Sequence, residues 1–219
     1  IFDTHAHYDD EAYEEDREDI LKLIRQEGVG LVTDVGATIA STKKAVALSE
    51  QYDFIYAAVG VHPEGVEELT NQDMDWLCEL AKREKVVAIG EIGLDYYYED
   101  PKRDIQKIWF RKQLEVARKT GLPVVIHSRD AARDTLELVK ECMKEGMHGG
   151  IIHCFSYGKE MAREYLNMGL YLGIGGVVTF KNSKKLKEVV KMTPLERIVL
   201  ETDCPYLTPE PHRGKRNDS

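Results

Sequence analysis

The sequence predicts an α/β chain folded as a (β/α)8 TIM barrel, and three observations predict it. Eight short apolar runs alternate with longer amphipathic stretches along the 219 residues, the order expected of parallel strands joined by crossover helices. Two of the runs, "VVAIG" and "LPVVI", are apolar at nearly every position, as strands buried on both faces must be. Histidines and carboxylates recur at the ends of the runs, where such barrels carry their active sites.

The runs occupy residues 1–5, 30–35, 54–59, 86–91, 122–127, 150–154, 170–175 and 197–203. The first leads into "DTHAH" at 3–7, which alternates Asp3, His5 and His7 onto one face of an extended strand. Two histidines about 7 Å apart along such a face can close on a single metal ion. The stretches 14–28 and 101–121 read as amphipathic helices. In the second, Ile105, Ile108, Trp109, Leu114, Val116 and Ala117 form the apolar stripe, and Gly121 with Pro123 marks its end. After the last run the chain reads "CPYLTPEPHRGKRNDS" with no helix to cover the seam between the last and first strands. The C-terminus is therefore expected to be incomplete, and the missing initiating Met implies trimmed first residues. The Pro-rich 205–211 is a candidate loop over the barrel mouth. No repeat or linker interrupts the chain, so 1–219 is expected to form one domain.

Composition narrows the function. Apolar residues make up 42% and charged residues 32%, as in ordinary soluble proteins. With 30 basic against 39 acidic residues the net charge is −9, which excludes a global basic surface for nucleic acid. An anionic partner must then be held by local charge. The four cysteines are scattered without a C-x-x-C pair, which favours a reducing cytoplasm over a disulfide framework. No apolar run reaches membrane-span length and no signal peptide is visible. A cytoplasmic monomer without membrane contact is expected.

The polar run-ends carry the chemistry. In order they present His5 and His7, then His62 in "GVHP", Glu91 in "GEIGLD", His127 in "IHSRD", His153 in "IHCF" and Asp203 in "ETD". Singly, each is an ordinary loop residue or cap. Packed together, uncompensated imidazoles and carboxylates are costly, so their convergence implies metal. A carboxylate among imidazoles suits two ions, which it can bridge. His5, His7, Glu91 and Asp203 serve one ion; Glu91, His127 and His153 serve the other. Two divalent ions against two carboxylates leave roughly +2 at the site, a local field able to hold a phosphate. The chemistry implied is hydrolysis by a water activated at the metal. Ligands of this kind do not choose among Zn, Mg, Mn, Fe and Co.

The motifs "FDTHAHYDD", "GVHPE", "AIGEIGLDYYY", "PVVIHSRDA", "IIHCFS" and "LETDCPYLTP" followed by "RGKRN" resemble the TatD family of metal-dependent deoxyribonucleases along the whole chain. The resemblance implies an amidohydrolase-like barrel in which Glu91 takes the bridging place of a carbamylated lysine. It implies the ligand set His5, His7, Glu91, His127, His153 and Asp203. It also implies divalent-metal-dependent hydrolysis of DNA, of the 3′-to-5′ exonuclease type in some members.

Beyond the ligands, Asp203 is the candidate to take a proton from the attacking water. His62 either contacts phosphate, protonates the leaving oxygen, or is a buried histidine bonded within the mouth. Glu201 is either an orienting carboxylate behind a ligand or one of a pair inside the barrel. Arg129, Arg213 and Lys215 are the candidate phosphate contacts, and Cys154 and Cys204 are read as packing residues aimed away from the metals. Strand ends or short single strands of DNA are the expected substrate, since few phosphates could be neutralised at once. The alternatives are a metal-dependent amidohydrolase or lactonase acting on a small molecule, and a non-catalytic metal-stabilised scaffold. The basic "RGKR" loop at 213–216 disfavours the first, and open coordination at a barrel mouth disfavours the second.

Overall fold

The computed structural model describes residues 1–219 and is a (β/α)8 barrel. The strands are β1 (Phe2–Ala6), β2 (Leu31–Val35), β3 (Ile55–Val59), β4 (Val86–Asp95), β5 (Val124–Arg129), β6 (Gly150–Ile152), β7 (Tyr171–Ile174) and β8 (Ile198–Leu200). The helices between them are α1 (Arg17–Gln26), α2 (Ile39–Gln51), α3 (Asn71–Leu80), α4 (Arg103–Thr120), α5 (Ala132–Lys144), α6 (Lys159–Asn167) and α7 (Lys184–Met192). All neighbouring strands pair in parallel and in chain order. Beyond β8 the seam closes through the Ala6–Cys204 bridge, with Asp203 N–H on the His5 carbonyl (2.9 Å) and His7 N–H on the Cys204 carbonyl (2.8 Å). His5, His7 and Asp203 are thus drawn together by the last backbone bonds of the barrel.

Two expectations on element bounds change. β4 continues four residues past Glu91 to Asp95, whereas β6 and β8 stop at Ile152 and Leu200, short of His153 and Asp203. Those two ligand candidates sit on turns: Cys154 and Asp203 take the left-handed conformation, at φ 44° and 60°.

The buried face of α4 also differs from the expected stripe. Ile108 is exposed, while Gln106, Phe110, Gln113, Leu114 and Ala117 face the barrel. The glutamines are inside because they satisfy backbone that the sheet leaves open. Gln113 accepts from Val61 N–H (2.8 Å) and donates to Val61 C=O (3.0 Å). Gln106 does the same for Asp95, both at 2.8 Å. One helix thereby fixes the backbone beside His62 and at the tip of β4.

The tail after β8 runs over the loop ends. Tyr206 Oη donates to Asp10 (2.7 Å) after β1, and Glu210 N–H reaches Thr179 Oγ1 (2.9 Å) after β7. Asn217 then holds the Thr202 and Tyr206 carbonyls, and Ser219 bonds Tyr8 and Asp3. Asp3, on the first motif, serves this tie and does not face the histidines. No helix is long and apolar enough to cross a membrane, and all four cysteines are free.

Candidate metal centre

Glu91 stands at the middle of the mouth, its side chain 5% exposed. Its Oε2 lies 3.5 Å from His5 Nε2 and 3.9 Å from His7 Nε2. Asp203 Oδ1 is 3.6 and 3.4 Å from the same two nitrogens, which are 3.1 Å from each other. Metal bonds of about 2.0–2.2 Å put neighbouring ligand atoms about 3–3.5 Å apart, so these spacings match a coordination shell. His7 Nδ1 lies 2.7 Å from the Val35 carbonyl; that bond keeps a hydrogen on Nδ1, so Nε2 is the atom that would offer its lone pair to a metal. Nitrogens and carboxylate oxygens this close together need positive charge among them, from protons or from a cation.

The other oxygen, Glu91 Oε1, is 3.0 Å from His127 Nδ1 and 3.8 Å from His153 Nε2. The carboxylate therefore turns Oε2 to His5 and His7 and Oε1 to His127 and, less closely, to His153, whose Nε2 is also 3.6 Å from Asp203 Oδ1 and whose ring stacks on His5. Room for this comes from glycine. A Cβ on Gly93, at φ 152°, would meet the His127 carbonyl oxygen at 1.9 Å, so only glycine lets β5 run this close to β4.

Carboxylates surround the histidines. Burial pushes Glu91 up, but His5, His153 and His127 outweigh it and hold the carboxyl well below its usual range. Burial also opposes charge on the histidines. Even so, Asp203 and Glu91 lift His7 to about 9, and Asp95 with Glu91 lifts His127 to about 9. Glu201, Asp203 and Glu91 lift His153 to about 10. Burial and the neighbouring His153 lower His5. The protein thus carries protons where a cation would supply the same charge, and the donor set fits a divalent metal.

Behind the histidines stand two further carboxylates. Glu201 Oε2 lies 3.1 Å from His153 Nδ1, while its Oε1 accepts from Cys154 N–H at 2.6 Å. It occupies space left by Gly173, whose Cβ would come within 2.2 Å of Oε2. The 3.1 Å approach to His153 Nδ1 is what the orienting reading of Glu201 requires. Asp95 Oδ2 lies 2.9 Å from His127 Nε2. The sequence reading passed over Asp95 because it ended the strand at Glu91. The signal was there, since 91, 93 and 95 share one strand face. Asp95 and Glu201 bring the carboxylates beside the histidines to four, where the run-ends alone offered two.

The remaining candidates separate. His62 lies edge-on to His127, with ring centroids 4.3 Å apart. Burial lowers it to about 4, so it is neutral at neutral pH. Its Nδ1 accepts from Glu64 N–H (3.3 Å), which leaves Nε2–H as a hydrogen-bond donor. Arg129 stands at the mouth, Nη1 3.9 Å from Asp95 Oδ2. Arg213 packs its guanidinium on Phe180 (3.7 Å), and Arg216 is held by Asp16. Neither Arg213 nor Lys215 contacts the histidine cluster; the loop folds on its own backbone through Thr208 and the Lys215 carbonyl. Cys204 is buried among Tyr8 and Tyr13 as expected. Cys154 departs from expectation, because the left-handed turn after β6 brings it beside His153 and Glu201.

A parallel eight-stranded barrel with imidazoles and carboxylates converging at its C-terminal mouth defines a metal-dependent hydrolase. The family described as TatD related DNase matches residues 2–219. The uncharacterized metal-dependent hydrolase YabD of Bacillus subtilis (strain 168) is 48% identical over 218 residues, covering 100% of this chain and 85% of its own length. The uncharacterized metal-dependent hydrolase YcfH of Escherichia coli (strain K12) is 36% identical over 220 residues, covering 99% and 82%. The crystal structure of the TatD homolog YjjV from Escherichia coli K12 superposes with a TM-score of 0.92 at 32% identity, covering 99% of this chain and 84% of that one. The chain belongs to the TatD family of metal-dependent hydrolases.

Proposed function

We propose that the chain is a deoxyribonuclease that hydrolyses phosphodiester bonds with two divalent ions, working 3′ to 5′ from strand ends or on short single strands. The observation that carries the reading is the placement of Glu91, one carboxylate oxygen toward His5 and His7 and the other toward His127 and His153. His5, His7, Asp203 and Glu91 Oε2 would hold one ion; His127 Nδ1, His153 Nε2 and Glu91 Oε1 would hold the other. When bound, such a pair supplies Lewis acidity and a clamp on the attacking and leaving oxygens of a phosphodiester.

The chain's own groups do the rest. Asp203 has a 17% exposed side chain against 1% for His5 and 3% for His153, so it is reachable by an incoming water. His153 and His7 outweigh burial and keep its carboxyl below the usual range; it is ionised and able to accept a proton. His62 Nε2–H and the Arg129 guanidinium offer donors to phosphate oxygens.

The test is digestion of end-labelled single- and double-stranded oligonucleotides, with and without chelator, beside a panel of amides and lactones at equal metal occupancy. Metal-dependent shortening of the oligonucleotides from one end is expected. Faster turnover of amides or lactones with the DNA left whole would overturn the reading.

A further inference from the structure

Past Asp95 the chain reads "YYYED" (96–100), and its three tyrosines behave differently. Tyr96 turns inward, donating to Asp134 Oδ2 (2.7 Å) beneath the Arg103 guanidinium. Tyr97 and Tyr98 face solvent, 58% and 51% exposed. Their rings stand at right angles with centroids 4.8 Å apart. The Arg129 guanidinium lies 3.7 Å from the Tyr97 centroid and 5.7 Å from that of Tyr98. From Arg129 the path to the metal centre is short, through Asp95 to His127 and Glu91, with steps of 3.9, 2.9 and 3.0 Å.

Two exposed rings beside a half-exposed guanidinium leave apolar faces uncovered. Arg129 meets only one carboxylate, at a distance too long for a hydrogen bond, so its donors are free for an anion. A flat apolar ring joined to a phosphate matches both features. Paired bases hide their faces within the duplex stack, so the surface suits unpaired ones. We propose that Tyr97 and Tyr98, with Arg129, form a stacking platform that seats an unpaired base of single-stranded DNA next to the metal centre. The proposal rests on the nuclease reading for its substrate. It adds that the protein grips a base, not only phosphates.

The test separates base contact from hydrolysis. Anisotropy on metal-loaded protein measures the affinity of a fluorescein-labelled phosphorothioate hexathymidylate and of its abasic counterpart. Cleavage of the ordinary phosphodiester versions is followed in parallel. Removing base–aromatic stacking weakens binding about fivefold to a hundredfold per base. The wild-type protein should therefore favour the base-bearing strand by about tenfold. In a Tyr97→Ala/Tyr98→Ala variant that ratio should fall to within about twofold of one, and in Tyr97→Phe/Tyr98→Phe it should persist. Both rings are outside the core, and melting curves check that each variant folds. A wild-type ratio near one, or a ratio unchanged by the alanines, overturns the platform and points to another partner for the rings. Cleavage without a base preference would retain the nuclease and remove the platform. A base preference without cleavage would do the reverse.

Discussion

Glu201 offers the sharpest test of how the centre is held. It is buried, its Oε1 accepts the Cys154 N–H at 2.6 Å, and its Oε2 lies 3.1 Å from His153 Nδ1. In Glu201→Gln the amide oxygen can keep the Cys154 bond, but an NH2 group then faces His153 Nδ1. To accept that hydrogen, His153 must give up the one on Nδ1 and keep one on Nε2, the atom that faces Glu91 and Asp203 and that a metal would need bare. Changes to partners of this kind cost about 10- to 100-fold in metal affinity or activity, with little loss of stability. Glu201→Ala adds a structural cost. The Cys154 N–H loses its partner, worth about 1–3 kcal/mol, and at about 2–4 °C per kcal/mol for a chain of this size the melting temperature should fall by several degrees. The assay is metal content after gel filtration, turnover of an oligonucleotide and thermal melting, on wild type and both variants. If Glu201→Gln kept its metal and turnover within about twofold of wild type, the orienting role would be refuted.

Three further outcomes are expected. Glu91→Gln removes the charge shared by both histidine pairs, so metal content should fall from two ions toward one or none and activity by orders of magnitude, as elemental analysis and turnover will show. His127→Ala and His153→Ala should empty one metal position and His5→Ala and His7→Ala the other; anomalous diffraction from metal-soaked crystals checks this, and loss of the same peak in all four variants contradicts it. His7 and His127 at about 9 and His153 at about 10 carry protons at neutral pH that a metal must displace. Metal binding should therefore release protons, and apparent affinity should rise from pH 6 to pH 9; calorimetry in buffers of different ionisation enthalpy measures both.

Much of the architecture was legible because it depends on local pattern. Apolar runs at regular intervals specify buried parallel strands wherever they fall, and residues at the run-ends must meet once a barrel closes. This is why His5, His7, Glu91, His127, His153 and Asp203 could be gathered from a linear text. Their order around the mouth follows from strands pairing in chain order. The type of side chain pointed to cation chemistry, since so many imidazoles and carboxylates packed together need positive charge among them.

Other features were decided only by contacts between residues far apart in the chain. Gln106 and Gln113 are polar, yet they are buried, because the unpaired backbone they satisfy comes from β4 and from Val61, which periodicity within α4 cannot see. Cys154 and Asp203 leave the alternation of a strand because left-handed turns follow β6 and β8. In the basic loop at 213–216, composition could not show that Arg213 packs on Phe180 and that Asp16 holds Arg216. Asp95 joined the centre once β4 ran past Glu91. A side chain's type is local, but what it satisfies is set by whichever distant donor, acceptor or ring the closed barrel brings within about 3–4 Å.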